Sequence, residues 1–235
     1  MDLKNIINKT IAHRGIHNNL NIPENSIKAF QKALDKNLPI ELDIHILKDN
    51  TLIVFHDDNL KRMTGINENI KDYTYNELNK LKLLNTNYKI PTLKEVLELV
   101  NGKVPIIIEL KNDKRTNKMC NELVNELKNY KGEFIIQSFY PSIINWFKKN
   151  KPEYIRGLLI SNNYKNKLTK FLIKTKLLLK YTSPNFLSVS KNILNNKKIQ
   201  RERHKGTPVF VWTIKNKDEI NNLKNKADAF ISNNL

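Results

Sequence analysis

Short runs rich in Ile, Val, Leu and Phe alternate along the chain with longer stretches whose apolar residues return every three or four positions. The first pattern is that of strands and the second that of amphipathic helices. Strand-like runs fall near residues 9–13, 38–44, 104–110, 133–137, 155–160, 185–189, 208–213 and 228–232, eight in all. Helical patterns follow most of them, at residues 24–37, 92–100, 113–130, 141–150, 164–179, 191–204 and 215–224. Pro23 opens the first helix and the Pro91-Thr92 pair the second, positions that suit a residue with no N–H to offer. Strand and helix in alternation specify a parallel sheet rather than separate all-α and all-β parts, and eight strands is the count of a TIM (β/α)8 barrel. The expected fold is therefore α/β, a single domain spanning residues 1–235.

Residues 45–91 break the pattern. Lys48-Asp49-Asn50 reads as a turn, residues 51–55 as a short returning strand that carries His56, and residues 76–83 as a short helix within a polar stretch. This predicts a small insertion after the second strand, an excursion over the barrel mouth. Leu235 follows closely on the last strand, so an eighth helix is expected to be missing. Residues 1–8 or a second copy of the chain would then cover the exposed flank.

A hydrophobic content of 40% supports a real core, which sets disorder aside. The net charge of +18 raises nucleic acid as a partner. The lysines are scattered among asparagines and isoleucines, however, so a solvated basic surface that attracts anionic substrates is favoured and no nucleic-acid partner is expected. The single cysteine, Cys120, sits in a helical pattern. It excludes an intrachain disulfide and a thiolate metal site, and reads as a small buried hydrophobe. No run reaches membrane-spanning length and the first residues lack an apolar signal region, which gives a cytoplasmic protein as the expectation.

Candidate chemistry gathers at the strand ends. Glu41 and Asp43 lie two apart on one strand and so project to the same side. Glu109 closes the apolar run Val104-Pro105-Ile106-Ile107-Ile108. A carboxylate ending such a strand is costly to bury unless its charge is compensated, and three converging ones suggest Mg²⁺ or Ca²⁺ rather than zinc. For each acid taken singly the alternative is an ion pair, for Glu109 with Lys111. His13 and His56 end strand-like runs beside Arg14 and Asp57, and imidazole can exchange protons at neutral pH. Arg14 adds a planar donor fork suited to phosphate. His45 continues the Glu41–Asp43 face and either approaches the metal or lines the rim; His17 and His204 read as surface residues. Gln137, Phe139 and Trp212, at later strand ends, would supply walls and polar contacts or simply pack.

The ordered set His13-Arg14-Gly15, Pro23-Glu24-Asn25-Ser26, Glu41-Leu42-Asp43, His56-Asp57, Ile90-Pro91-Thr92-Leu93, Glu109-Leu110-Lys111, Gln137-Ser138-Phe139 and Val211-Trp212-Thr213 resembles glycerophosphodiester phosphodiesterases from about Ile11 to Asn233. The resemblance implies a TIM barrel that hydrolyses glycerophosphodiesters to glycerol 3-phosphate and an alcohol with one divalent cation. It further implies that Glu41, Asp43 and Glu109 hold the cation, that His13 and His56 are the acid/base pair, and that Arg14 and Lys111 touch phosphate. The chain departs from the family at Lys215, where Asn is frequent, and at Asp228-Ala229-Phe230-Ile231, where Gly usually follows the Asp. Two other readings are a related phosphodiesterase acting on lysophospholipids and a non-catalytic basic barrel that binds anionic polymers or membranes. The second of these predicts binding that falls steeply with salt.

Overall fold

In the computed structural model, which describes residues 3–111, 114–162 and 176–233, eight parallel strands close into a barrel. They are β1 (Thr10–His13), β2 (Ile40–Ile46), β4 (Ile106–Leu110), β5 (Phe134–Ser138), β6 (Arg156–Ile160), β7 (Phe186–Ser190), β8 (Val209–Ile214) and β9 (Ala229–Ser232). Each pairs with the next, and β9 returns to β1, with Ile11 opposite Ile231. Strands covered on both faces need apolar residues at nearly every position, which is why Ile106, Ile107 and Ile108 run consecutively.

Alternation sorts these side chains. Ile11, Ile107, Ile135, Phe186, Phe210 and Ile231 fill the barrel interior. Ile40, Leu42, Ile106, Ile108, Phe134 and Ile136 face outward, in one core with residues of the covering helices α1 (Ile27–Asp35), α4 (Leu93–Val100), α5 (Thr116–Leu127) and α6 (Pro141–Asn150). Cys120 of α5 is fully buried there, and burial pushes its thiol up to about 12. A second outer core joins β6 to β9 with α7 (Lys176–Thr182) and α8 (Lys197–His204), against which residues of α9 (Lys217–Leu223) pack. The expected helix at residues 164–179 lies mostly outside the described residues. No helix among the described residues is long and apolar enough to cross a membrane.

Helix starts are set by side-chain caps. The first helix begins at Ile27 rather than at residue 24, because the Ser26 hydroxyl accepts the Ala29 N–H. Thr92 and Glu95 form a capping box on α4. The expected helix at residues 191–204 is divided into a 3-10 turn, Lys191–Ile193, and α8, with Asn196 capping the latter.

The insertion is a hairpin with its own core. β3 (Leu52–Val54) pairs antiparallel with the end of β2, Ile44 opposite Val54. Beyond it come α2 (Lys61–Thr64), a 3-10 turn at Ile70–Asp72 and α3 (Tyr75–Leu78). Leu47, Ile53, Phe55, Leu60, Met63, Ile70, Leu78, Leu83 and Ile90 bury one another.

The first residues act differently from the expectation. Leu3 and Ile6 join the interior cluster of the barrel, and the Asn8 N–H donates to the Asp228 carbonyl at 2.7 Å. They close the floor rather than a flank. On the outer side of β1 and β9, Ala12 is 0% and Phe230 6% exposed, so the described residues leave no open apolar flank that calls for a second copy.

Candidate active site

Register brings the predicted residues to two successive levels at the C-terminal ends of the strands, where barrels of this kind carry their chemistry. His13 stands opposite Glu41, Asp43 opposite Glu109, and Glu109 opposite Gln137. All face inward, since Leu42 and Ile108 take the outward positions. Carboxylate oxygens of Glu41, Asp43 and Glu109 lie within 4.8 Å of one another. That span matches the ~4.6–5.2 Å between opposed ligands around a Ca²⁺ ion at ~2.3–2.6 Å from each. Hard oxygen donors that are buried together fit a hard divalent cation.

Two basic side chains share this cluster. Lys111 Nζ lies 2.6 Å from Asp43 Oδ1 and 2.5 Å from Glu109 Oε1, so the ion pair considered for Glu109 is present and extends to Asp43. Arg14 Nε lies 3.3 Å from Asp43 Oδ2. Burial alone would raise the Asp43 carboxyl, but Lys111 and Arg14 hold it far below the usual range. Glu41 has weaker company: the Arg14 backbone N–H at 3.2 Å, Gln137 Nε2 at 3.5 Å and His13 Nε2 at 3.9 Å. Burial, then repulsion from Asp43 and Glu109, pushes its carboxyl well above the ordinary value. Burial also raises Glu109, against the pull of Lys111. Among the described residues three acids face two bases, and Glu41 is the acid whose ionised form has least support without a further cation.

Both histidines have Nδ1 tied to an acceptor. His13 Nδ1 meets Asn233 Oδ1 in a short hydrogen bond, which leaves Nε2 toward Glu41. Burial, then Arg14, lowers the His13 pKa to about 3, so its ring is neutral near pH 7. His56 Nδ1 donates to Asp57 Oδ1 at 2.6 Å, and the ring lines a cavity of about 900 Å³ shared with Glu109, Lys111, Phe139 and Tyr140. His45 is 6% exposed, and its Nε2 donates to the His56 carbonyl at 3.3 Å. It braces the His56 backbone and stands outside the acid cluster. His204 is exposed as expected, whereas His17 is half-buried and burial lowers its pKa.

The β1–α1 turn is built to carry Arg14. Arg14 and Gly15 both take left-handed backbone, φ 56° and 77°. A Cβ on Gly15 would stand 2.7 Å from the Ala29 carbonyl carbon, so only glycine lets the chain pass α1 this closely. The Arg14 carbonyl accepts the Asn25 N–H, and Asn25 Nδ2 donates to Asp43 Oδ2 at 2.8 Å. The buried Glu24 takes Arg14 Nη1 at 2.7 Å and Arg62 Nη2 at 2.6 Å. Pairing with Arg62 and Arg14 outweighs burial and lowers the Glu24 pKa to about 2.

Gln137 lies in β5, Phe139 just past its end and Trp212 in β8. Gln137 is 1% exposed, and the Phe139 and Trp212 rings meet edge to face at 5.6 Å. Reasoning from sequence gave no role to Glu24, Asn25, Asp57, Arg62 or Asn233. Asn233 was within reach of it, because it lies two residues past the inward Ile231 and alternation sends it to the same side. Arg62 left no such trace.

Closed parallel sheet, sealed floor and acid-lined mouth define a TIM barrel whose chemistry is gathered at one rim. The sequence matches the profile of the glycerophosphoryl diester phosphodiesterase family over residues 13–235. A glycerophosphodiester phosphodiesterase of Bacillus altitudinis is 36% identical over 156 residues, 61% of this chain and 63% of its own length. Lysophospholipase D GDPD1 of Homo sapiens is 41% identical over 133 residues, 50% of this chain and 41% of its own. Among solved structures, a phosphodiesterase of Oleispira antarctica in complex with the product sn-glycerol-3-phosphate superposes with a TM-score of 0.83, covering 97% of this chain and 93% of that one. At 22% identity that likeness speaks for the barrel alone. The chain belongs to the glycerophosphoryl diester phosphodiesterase family and is a phosphoric diester hydrolase.

Proposed function

We propose that this chain, working as one unit over residues 1–235, hydrolyses glycerophosphodiesters to glycerol 3-phosphate and an alcohol. Glu41, Asp43 and Glu109 would hold one divalent cation, Mg²⁺ or Ca²⁺. The observation that carries the proposal is the meeting of three buried carboxylates within 4.8 Å, with Arg14 and Lys111 against them among the described residues, between two histidines whose Nδ1 atoms are committed. When bound, the cation supplies positive charge to a phosphoryl oxygen.

The remaining steps belong to the protein. Arg14 and Lys111 stand beside the acids as donors for the other phosphoryl oxygens. His13, neutral at pH 7, takes the proton of the attacking hydroxyl on Nε2. As the bond from phosphorus to the alcohol oxygen breaks, the imidazolium form of His56 gives its Nε2 proton to that oxygen and is left as the neutral ring protonated on Nδ1, which Asp57 keeps occupied and aligned. Gln137 orients Glu41, and Phe139 and Trp212 wall the site.

A panel of glycerophosphodiesters, assayed for glycerol 3-phosphate with chelator and at graded Mg²⁺ and Ca²⁺, tests this. Release that needs the cation is expected; release indifferent to chelator would remove it from the scheme. Detection of a cyclic phosphate would identify the neighbouring glycerol hydroxyl, rather than water, as first nucleophile. Lysophosphatidylcholine belongs in the panel, because the human relative is named for that chemistry. Faster cleavage of the lysolipid than of any water-soluble diester would favour the second reading.

A further inference from the structure

Helix α2 anchors itself in the insertion through Met63, which is 2% exposed, while its neighbour Arg62 reaches out toward the barrel mouth. The guanidinium there meets carboxylates from two distant parts of the chain. Nη2 and Nη1 lie 2.6 and 3.1 Å from the two oxygens of Glu24, and Nε lies 2.6 Å from Asp57 Oδ2. Three of its five N–H donors are thereby committed. The other Asp57 oxygen, Oδ1, accepts His56 Nδ1 at 2.6 Å, and Glu24 in turn holds Arg14 Nη1 at 2.7 Å. A continuous series of charge-assisted bonds, Arg14–Glu24–Arg62–Asp57–His56, thus crosses the mouth from the β1 turn to the insertion.

We propose that Arg62 is a positioning residue for His56, fixing the ring through Asp57 so that Nδ1 always donates and Nε2 alone faces the substrate. Asp57 is part-exposed and follows His56 directly. With His56 as its sole partner, its carboxylate could turn to water and let the imidazole flip or change tautomer. A planar fork clamped on the buried Glu24 prevents this, since two parallel bonds fix an orientation that one cannot. Lysine, a point charge on a flexible stem, reaches one carboxylate at a time. The inference rests on the proposed role of His56 in proton transfer, and it makes the insertion a working part of the active site.

The test pairs kinetics with the state of the ring. Arg62→Ala should lower kcat about 10- to 100-fold, the usual cost of a misplaced catalytic group, with KM changed less than about threefold by the same argument. Arg62→Lys should recover part of the loss. In ¹⁵N NMR of the full chain, recorded at a pH high enough to make the ring neutral, the His56 signals, assigned by their disappearance in His56→Gln, should show the Nδ1-protonated tautomer alone in the parent and a mixture of tautomers in Arg62→Ala. An unchanged kcat with an unchanged His56 spectrum would overturn the proposal. So would a raised KM at constant kcat, which would place Arg62 on the substrate itself. If Arg62→Ala does not fold, Arg62→Lys and Arg62→Gln carry the NMR comparison, and a single tautomer in both would refute it. A parent chain that cleaves no glycerophosphodiester would remove the proposed substrate, while the ring spectrum would still decide what Arg62 does.

Discussion

The two halves of the barrel rim are made of different chemistry. β1, β2 and β4, with the residues just past them, contribute His13, Arg14, Glu41, Asp43, Glu109 and Lys111, every one ionisable. β6, β7 and β8 contribute from within their own spans Leu159, Ser188, Ser190 and Trp212, none ionisable at neutral pH, and the charges that follow β7 and β8, Lys191 and Lys215, lie past the strand ends, with Lys191 paired to Glu219 at 2.8 Å. Ser188 Oγ and Trp212 Nε1 are buried with no hydrogen-bond partner among the described residues. Charge gathered on one side can polarise a phosphoryl group placed against it. The neutral side governs what fits beside that group and which hydroxyls it can bond. Division of this kind keeps like charges from surrounding the substrate, and it makes turnover and selectivity separable by mutation.

The largest effect should come from the charged side. Glu41→Gln should cut cation-dependent turnover by at least about 10³-fold, because it removes a ligand from the proposed ion. In chelator the variant should melt no lower than the parent, since a buried, mutually repelled carboxyl is gone. A clear fall in that melting temperature would make Glu41 a structural residue. His13→Ala should cost on the order of 10²-fold in kcat, measured as glycerol 3-phosphate release. On the neutral side, Trp212→Ala should act mostly on KM, by roughly three- to tenfold, with kcat falling less; a larger loss in kcat would erase the contrast between the halves.

Two stability measurements sharpen the comparison. A Cβ on Gly157 would stand 2.2 Å from the Phe186 ring, which is fully buried and stacked on Phe210 at 4.5 Å. Gly157→Ala should therefore destabilise by about 1–3 kcal/mol in denaturant titrations. Glu126 on α5 gives the smallest effect. Burial, then Glu122, raises its pKa to about 7, above its ordinary 4.5. The folded state thus holds that proton more tightly than the unfolded one, and stability falls as pH rises from 4.5 to 7. Glu126→Gln should gain about 1–2 kcal/mol at pH 8 and nothing at pH 4.

Most of the barrel was legible because a parallel strand buried on both faces cannot hide in a sequence. Ile106-Ile107-Ile108 and Phe134-Ile135-Ile136 announce themselves, and the i, i+2 rule alone puts Glu41 beside Asp43. Local turn chemistry was harder to read. The stretch Pro23-Glu24-Asn25 looks like a first helical turn, yet Asn25 takes φ 55° and gives its side chain to Asp43, so the helix waits for Ser26. Helix α2 escaped notice because four residues in a polar segment show no period. The Glu24–Arg62 pair escaped because its partners stand 38 positions apart, joined only by the folded insertion.

The turn at Leu3–Asn5 and the buried Ile6 stopper the lower end of the barrel. With Ile11, Ile107, Ile135, Phe186, Phe210 and Ile231 filling the interior above them, the acids are reached, among the described residues, from the strands' C-terminal side. Whatever diester enters, the attacking water and both fragments must share that approach, so departure of the first product has to precede arrival of the next molecule, and any bulky alcohol that lingers there will slow the cycle however fast the bond is cut.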